Sequence, residues 1–562
     1  MAALDPQAIR RQKVPGALFG VLSLVIVVFM MAALKPSQPP PPPTAEYAPE
    51  AVQALRDAPQ NQVSNTGTGD GEAGGGAAPP SPTPLPDGSF PDDPKNQAQN
   101  KAIEQNRVRQ CIGNPPRQIE DPQSPPCVPY FDGDNGGATA PGVTANEIRV
   151  AMPAEEHGTI TPRLLQFFNR RFEFYGRQLV IVPGTGCGGD TPNQMKACAE
   201  RVASKNVFAS LSYSDQGGNG YFFYDELARR KVVSIGFHQD LRYESHFEQF
   251  APYQWGYLPS LDKMSRHIAE LTCKQLAGKN ATHAGEALQG LPRKFGLISN
   301  AYTNSASPDM TALKGALGAC GIRDILHREV NFTKAGVNQR DETTTQQATN
   351  AMIDMAQADV TTLICMCHTS TTQQLTPAAE SQGYQPEWIV STFLYQDQDF
   401  WAATQPSGQW RHAFGLNFYN KWNAPVNMPW HWALMEVDPT YNYENNKFVY
   451  FGAFYNYHQL LMLAAGLQMA GPNLTPQTFQ EGMWKTRFPN PDNPKVMAGK
   501  VGFEDRDHTF VNDAAIIWWN PAGKDEWYGA NGHYCYVRNG QRNPLGRYPA
   551  EDEPFRPPCQ RY

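Results

Sequence analysis

Three histidines, His157, His238 and His368, fall in polar stretches between apolar runs, and Glu155 and Glu156 stand beside the first. Brought together, they would offer imidazole nitrogens and carboxylates to a metal ion. No H-E-x-x-H spacing places two of them on one helix face, and polar loop positions account for them as well. No metal or other cofactor is expected. The sequence contains neither a G-x-x-x-x-G-K-[ST] phosphate loop nor a G-x-S-x-G nucleophile elbow. Cys365 and Cys367, one residue apart, would be nucleophiles only as thiols. The ten cysteines are even in number, scattered from Cys111 to Cys559 and free of C-x-x-C pairs. That pattern points to disulfides and an oxidising compartment. Sequence does not give the connectivity. Nearest-neighbour pairing would link Cys111 to Cys127, Cys187 to Cys198, Cys273 to Cys320 and Cys535 to Cys559, leaving Cys365 and Cys367 to close a tight ring. What remains is a set of hydroxyl, imidazole, amide and phenol groups, suited to binding rather than turnover, and no catalytic residue is assigned.

The elements that must position these groups alternate. Residues 148–152, 178–182, 207–212 and 232–237 read as strands, with helices at 162–174, 193–204 and 221–230 between them. The same grammar restarts after a helix at 260–276. Strands are expected at 294–299, 327–332, 361–365, 388–391 and 413–418, with helices at 308–318 and 344–358. Short apolar runs separated by helical patterns indicate βαβ units and parallel sheets. The fold class is therefore α/β, two doubly wound parallel-sheet lobes. In open α/β sheets ligands bind beyond the carboxyl ends of the strands. That rule selects Glu155, His157, Ser212, Tyr213, Ser214, His238 and Gln239 in the first lobe. In the second it selects Asn300, Tyr302, His368, Thr369, Thr392 and Phe393. The ligand-binding set drawn from these is Ser212, Tyr213, Ser214, His238, Gln239, Tyr302, His368, Thr369 and Thr392.

A helix at 447–470 follows, stopped by Gly471-Pro472. Thr475 then caps another helix with Pro476 at its first position. Six of the 11 tryptophans lie between Trp388 and Trp432. They would form either an aromatic wall for a large ligand or the packing of the hinge between the lobes.

At the other end, Arg10, Arg11 and Lys13 precede an uncharged run at 14–34. Its 21 residues span ~31 Å as a helix, about one bilayer core. The basic flank keeps residues 1–13 in the cytoplasm and sends the bulk of the chain outside. The run is thus expected to be a retained single-pass anchor in the cell membrane rather than a cleaved signal peptide. Residues 35–142 carry Pro-rich and Gly-rich tracts and read as a linker. The two-lobed domain is expected at 143–524, with lobe one at about 143–255, lobe two at about 256–420 and returning helices at 446–521. Residues 525–562 read as an irregular tail. The net charge of −7 argues against a nucleic-acid partner. A mean hydropathy of −0.52 excludes a multi-span transporter or channel.

This order of elements resembles the type I periplasmic binding proteins, specifically the leucine/isoleucine/valine-type substrate-binding proteins of ABC importers. GVTANEIRVAMPAE at 142–155 is similar to that subgroup's opening strand. GTGCGGDTPNQMKACAERVASKNVFASLSYSD at 184–215 is similar to its second loop, helix and third strand, the disulfide position included. FAPYQWGYLPSLDKMSRHIAELTCKQL at 250–276 resembles the lobe crossover. FGAFYNYHQLLMLAAGLQMAGPNLTPQTFQEGMWK at 451–485 resembles the C-terminal helix pair, and AGKVGFEDRDH at 498–508 the turn after it. The resemblance implies a small-molecule ligand held between two lobes and a membrane permease as partner. The chain departs from the subgroup where the third strand ends in a Gly-Pro and paired hydroxyls that hold an amino-acid carboxylate. Here Tyr213 separates Ser212 from Ser214. The acid expected after Ser391 has only Asp397 and Asp399 as candidates. A receptor-like sensor of the same fold, or a secreted hydrolase or metal-dependent enzyme, are the other readings open at this point.

Overall fold

The computed structural model describes residues 109, 111–112, 116–118, 120–153, 161–187, 191–211, 220–236, 242–302, 308–332, 342–391, 395–421, 424–440, 447–490, 498–503, 506–527, 529–550 and 559. The cytoplasmic arm and the anchor expected at 1–34 lie outside these residues. Among the described residues no helix is long and apolar enough to cross a membrane. The chain divides into two units, residues 1–47 and 48–562, and all the described residues lie in the second.

A short antiparallel pair comes first, β1 (Cys111–Ile112) and β2 (Arg117–Gln118). It falls inside the stretch whose composition predicts a spacer, yet Gln118, Glu120, Asp121, Gln123 and Ser124 are all buried. The first sheet contains β3 (Glu147–Ala151), β4 (Gln178–Ile181), β5 (Ala209–Leu211), β6 (Val233–Gly236) and β7 (Gln254–Gly256). All are parallel, in the order β4-β3-β5-β6-β7. The second sheet begins with β8 (Phe295–Tyr302), β9 (Leu326–Phe332), β10 (Thr362–Met366), β11 (Glu387–Val390) and β12 (Ala413–Asn417). These five are parallel too, in the order β9-β8-β10-β11-β12. Numbered within each lobe, both sheets have the order 2-1-3-4-5. Each therefore has one switch point, between β3 and β5 in the first lobe and between β8 and β10 in the second.

The second sheet then grows antiparallel. β13 (Asp513–Lys524) pairs with β12, and β14 (Asn531–Tyr536) and β15 (Arg542–Pro544) pair with β13. The tail expected to be irregular is thus partly sheet. Arg542 holds it down: its guanidinium meets the Asp513 carboxylate at 3.0 Å and the Tyr419 carbonyl at 2.8 Å.

Side-chain alternation along the strands decides what covers each face. In the first lobe Ala151 packs under α2 (Pro192–Ala203) and α3 (Gly220–Arg229), with Met195, Val202, Phe223 and Leu227. Ile148 and Val150 face the other way, toward Leu164 and Phe168 of α1 (Thr161–Arg171). A short α4 (Glu244–Gln249) precedes β7. In the second lobe Ile364 and Met366 share a core with α5 (Leu261–Leu271) and α6 (Thr311–Ala319). Leu363 and Cys365 point instead to α7 (Glu342–Gln357) and α8 (Thr369–Ser381). Two single-turn helices, α9 (Asp399–Ala402) and α10 (Ser407–Trp410), follow β11. The chain then returns to the first lobe, where α11 (Pro429–Val437), α12 (Lys447–Ala470) and α13 (Pro476–Lys485) lie. Asn456 on α12 donates to the Thr161 hydroxyl of α1 at 2.8 Å.

The chain passes between lobes three times: after β7, after β12 and before β13. The crossings are stitched together. Gly256 N donates to His508 O at 2.9 Å, Val511 N to Tyr257 O at 3.0 Å, and Gly499 N to the Asn420 side chain at 3.0 Å. Lys263, buried on α5, reaches Asp507 at 2.5 Å and Asn512 at 2.8 Å. Five disulfides join Cys111–Cys127, Cys187–Cys198, Cys273–Cys320, Cys365–Cys367 and Cys535–Cys559, which is the nearest-neighbour pairing together with the tight ring.

Candidate functional site

The switch point of the second lobe is built around Asn300, on β8. Its carboxamide oxygen accepts from His368 N at 2.6 Å, and its Nδ2 donates to Thr371 Oγ1 at 2.8 Å and to Val330 O at 3.2 Å. One side chain thus ties β8 and β9 to the start of α8. The expected strand end at residue 299 is overshot, because β8 runs on to Tyr302. Asn300 is therefore a buried brace inside the strand.

His368 is the N-cap of α8. Its Nδ1 accepts from Ser370 N at 2.9 Å and lies 2.7 Å from Ser370 Oγ. Burial pushes its pKa down to about 3, so the ring is neutral at any physiological pH. Thr369, the next residue, is 1% exposed, and its hydroxyl meets no hydrogen-bond partner among the described residues.

An aromatic set gathers beside it. The Tyr395 ring lies edge to face with His368 at 6.1 Å and stacks on Trp401 of α9 at 6.0 Å. Tyr455, on α12 of the first lobe, meets Tyr395 edge-on at 5.9 Å, and its hydroxyl accepts from Gln398 Nε2 at 3.0 Å. Burial, then the neighbouring Tyr395 and Tyr419, hold the Tyr455 phenol well above its usual range. The set therefore bridges the lobes with uncharged rings. Gln398 Oε1 and Trp401 Nε1 are buried and, like Thr369 Oγ1, find no partner among the described residues. Leaving three such atoms unpaired costs about 1–3 kcal/mol each.

The floor is held from below. Gln396 Nε2 donates to Cys367 O at 2.7 Å, and Ser391 Oγ donates to Cys365 O at 2.7 Å. Asp397 and Asp399, the candidate ammonium partners, lie within reach of structural donors. Asp397 accepts from Asn417 Nδ2 at 2.8 Å and Asp399 from Tyr534 N at 2.8 Å. On the first lobe, Arg242 follows β6 and lays its guanidinium 3.6 Å from the centre of the Tyr221 ring, at the start of α3.

Of the residues selected from sequence, His368 and Thr369 stand at this site. Tyr302 is the last residue of β8. Ser212, Tyr213, Ser214, His238, Gln239 and Thr392 lie outside the described residues, as do Glu155, Glu156, His157 and Phe393. Sequence reasoning missed Tyr395, Gln398 and Tyr455. Trp401 belonged to the noted tryptophan cluster, but half of that cluster is packing: Trp388, Trp410 and Trp430 are fully buried.

No protein-family model matches the chain, and no curated protein matches it in sequence. Solved structures align with it over most of its length, at TM-scores below 0.5. A periplasmic binding protein from Burkholderia mallei aligns with a TM-score of 0.48 at 11% identity, over 72% of this chain and 96% of its own. A fatty acid ABC transporter substrate-binding protein from Thermomonospora curvata gives 0.46 at 15% identity, over 73% and 94%. A solute-binding protein from R. palustris in complex with benzoate gives 0.45 at 11% identity, over 72% and 98%.

Proposed function

We propose that this chain is an extracytoplasmic solute-binding protein of an ABC-type importer, held at the membrane by residues 14–34. Its two lobes close on a small ligand, and a membrane permease reads the closed form. The observation that carries this reading is the bridging set. Uncharged rings from both lobes meet at the carboxyl ends of β10 and β11, beside the switch point. Rings exclude water, and the few polar groups fix the ligand's orientation. Closure follows only if the ligand binds the closed arrangement more tightly than the open one. Nothing in this set is a nucleophile or a positioned acid–base pair, which favours capture over turnover.

The test is native mass spectrometry of the full chain as purified, followed by calorimetry with benzoate, hexadecanoate and leucine. The expected result is one bound small molecule per chain, or saturable binding of one of the three, without conversion to product. Conversion of any of them, or a chain that binds none and carries none, would overturn the reading.

A further inference from the structure

The segment before the first lobe enters the hinge. It is fastened to the first lobe at two points. Gln118 Nε2 donates to Arg171 O at 3.0 Å, and its Oε1 accepts from Gln468 Nε2 of α12 at 2.5 Å. Asp121 accepts from the Tyr457 hydroxyl of α12 at 3.0 Å. The Cys111–Cys127 disulfide, with Cys127 N donating to Pro116 O at 3.2 Å, closes the segment into a loop.

From this base Gln123 reaches all three inter-lobe crossings with one carboxamide. Its Oε1 accepts from the Tyr257 hydroxyl, after β7, at 2.7 Å. Its Nε2 donates to the Asn420 side chain, after β12, at 3.2 Å and to Gly499 O, before β13, at 2.7 Å. Both N–H donors are used, and the residue is 0% exposed. A clamshell motion bends these crossings relative to one another. Hydrogen bonds weaken steeply when the angle at the hydrogen falls below about 120°, so such bending weakens these bonds.

We propose that residues 116–128 form a hinge latch, in which Gln123 is a positioning residue that holds the three crossings in the arrangement described and so sets the ratio of lobe arrangements. Apparent ligand affinity scales with the fraction of chain in the competent arrangement, so the latch tunes affinity from outside the cleft. This inference rests on the two-lobe closure proposed above.

The experiment is an inter-label distance distribution by pulsed electron resonance on the full chain. Labels sit at the exposed positions Lys205→Cys in the first lobe and Asp324→Cys in the second. Distances are recorded alone and with benzoate, hexadecanoate or leucine. Gln123→Ala should change the ratio of lobe arrangements by about tenfold or more, as expected for losing several buried hydrogen bonds. Gln123→Met, of similar volume, and Tyr257→Phe, which removes one bond, should move it the same way and guard against a simple folding defect. A wild-type distance that shifts with a compound, alongside variants identical to wild type, would leave closure standing and overturn the latch. One unchanging distance in every protein would overturn both. A new distance in the variants without any compound response would support the latch and count against ligand-driven closure.

Discussion

Replacing Asp121 by Asn should stabilise the protein at pH 8 and leave its stability unchanged near pH 4. Asp121 is fully buried, and its carboxyl is raised from 3.8 to about 7. Burial is the main cause. Hydrogen bonds from Gln123 N at 2.8 Å and from the Tyr457 hydroxyl pull the other way and offset only part of it. Below pH 3.8 the folded and unfolded chains both hold the proton, and the group costs nothing. Between 3.8 and about 7 the folded chain keeps a proton that the unfolded chain has released, so stability falls as pH rises. Above about 7 the loss is complete. Three decades of proton affinity at ~1.4 kcal/mol each amount to about 4 kcal/mol. An Asn at this position keeps both hydrogen bonds, one through its oxygen and one by donating to the Tyr457 oxygen, and has no proton to lose. Asp507, raised to about 6 chiefly by burial, adds a loss of the same sign to both proteins and cancels in the comparison. Thermal midpoints measured from pH 4 to 8.5 should therefore converge at the acid end. At pH 8 the variant should lie several degrees higher, at about 2 °C per kcal/mol for a large domain. Parallel curves across the whole range would show that Asp121 is ionised in the folded chain and would refute the argument.

Thr369→Val should lower affinity for the co-purifying ligand about tenfold, since ~1.4 kcal/mol is a decade, and should leave the midpoint of the empty protein unchanged or higher. A lower midpoint with unchanged affinity would mean that the hydroxyl serves the fold. Gly142 has φ +74, and a Cβ there would lie 2.0 Å from Phe208 N, so Gly142→Ala should cost about 3 kcal/mol or more in denaturant unfolding; a loss below about 1 kcal/mol would contradict that backbone approach. No described cysteine is free, so alkylation under non-reducing conditions should label none of the ten, and labelling of most would sink the pairing. N-terminal sequencing of membrane-extracted protein should begin before residue 14; a start beyond 34 would show that the run is cleaved.

Local pattern made every parallel strand but β7, and most helices, legible, because their physics is local. The helix expected at 447–470 is α12, and the Thr475-Pro476 signature is a capping box closed by Thr478 N on Thr475 Oγ1 at 3.0 Å. Sequence left the cysteine connectivity open; the bonds formed coincide with nearest-neighbour pairing, whose short loops cost less chain entropy to close. Helix α8 escaped notice: Thr369-Ser-Thr-Thr opens it, and Pro377 sits inside it. Its helicity comes from the His368 cap and from Leu375 and Ala379 packing against Met352 and Met355, a tertiary override of weak propensity. β13 hides similarly, since its Pro521 falls at the bulge between Asn520 and Lys524, where a missing N–H costs little.

The segment at 116–128 shows where reading by composition must stop. Its Gln, Glu, Asp, Ser and Pro residues are those of a solvated linker, and all of its Gln, Glu, Asp and Ser side chains are buried all the same. Burying such groups is tolerable only when each finds a partner, and the partners come from far along the chain: Arg171, Tyr257, Asn420, Tyr457 and Gln468. No window of sequence displays a Tyr257 hydroxyl aimed at Gln123 Oε1. The candidate site has the same character. Tyr395, Gln398 and Trp401 follow β11, whereas Tyr455 arrives on a helix that belongs to the other lobe, and only the fold sets their rings within 6.0 Å of one another in turn. Strand-end reasoning found His368 and Thr369 because their position is set by one strand. It could not find Tyr455, whose place depends on the chain's return to the first lobe.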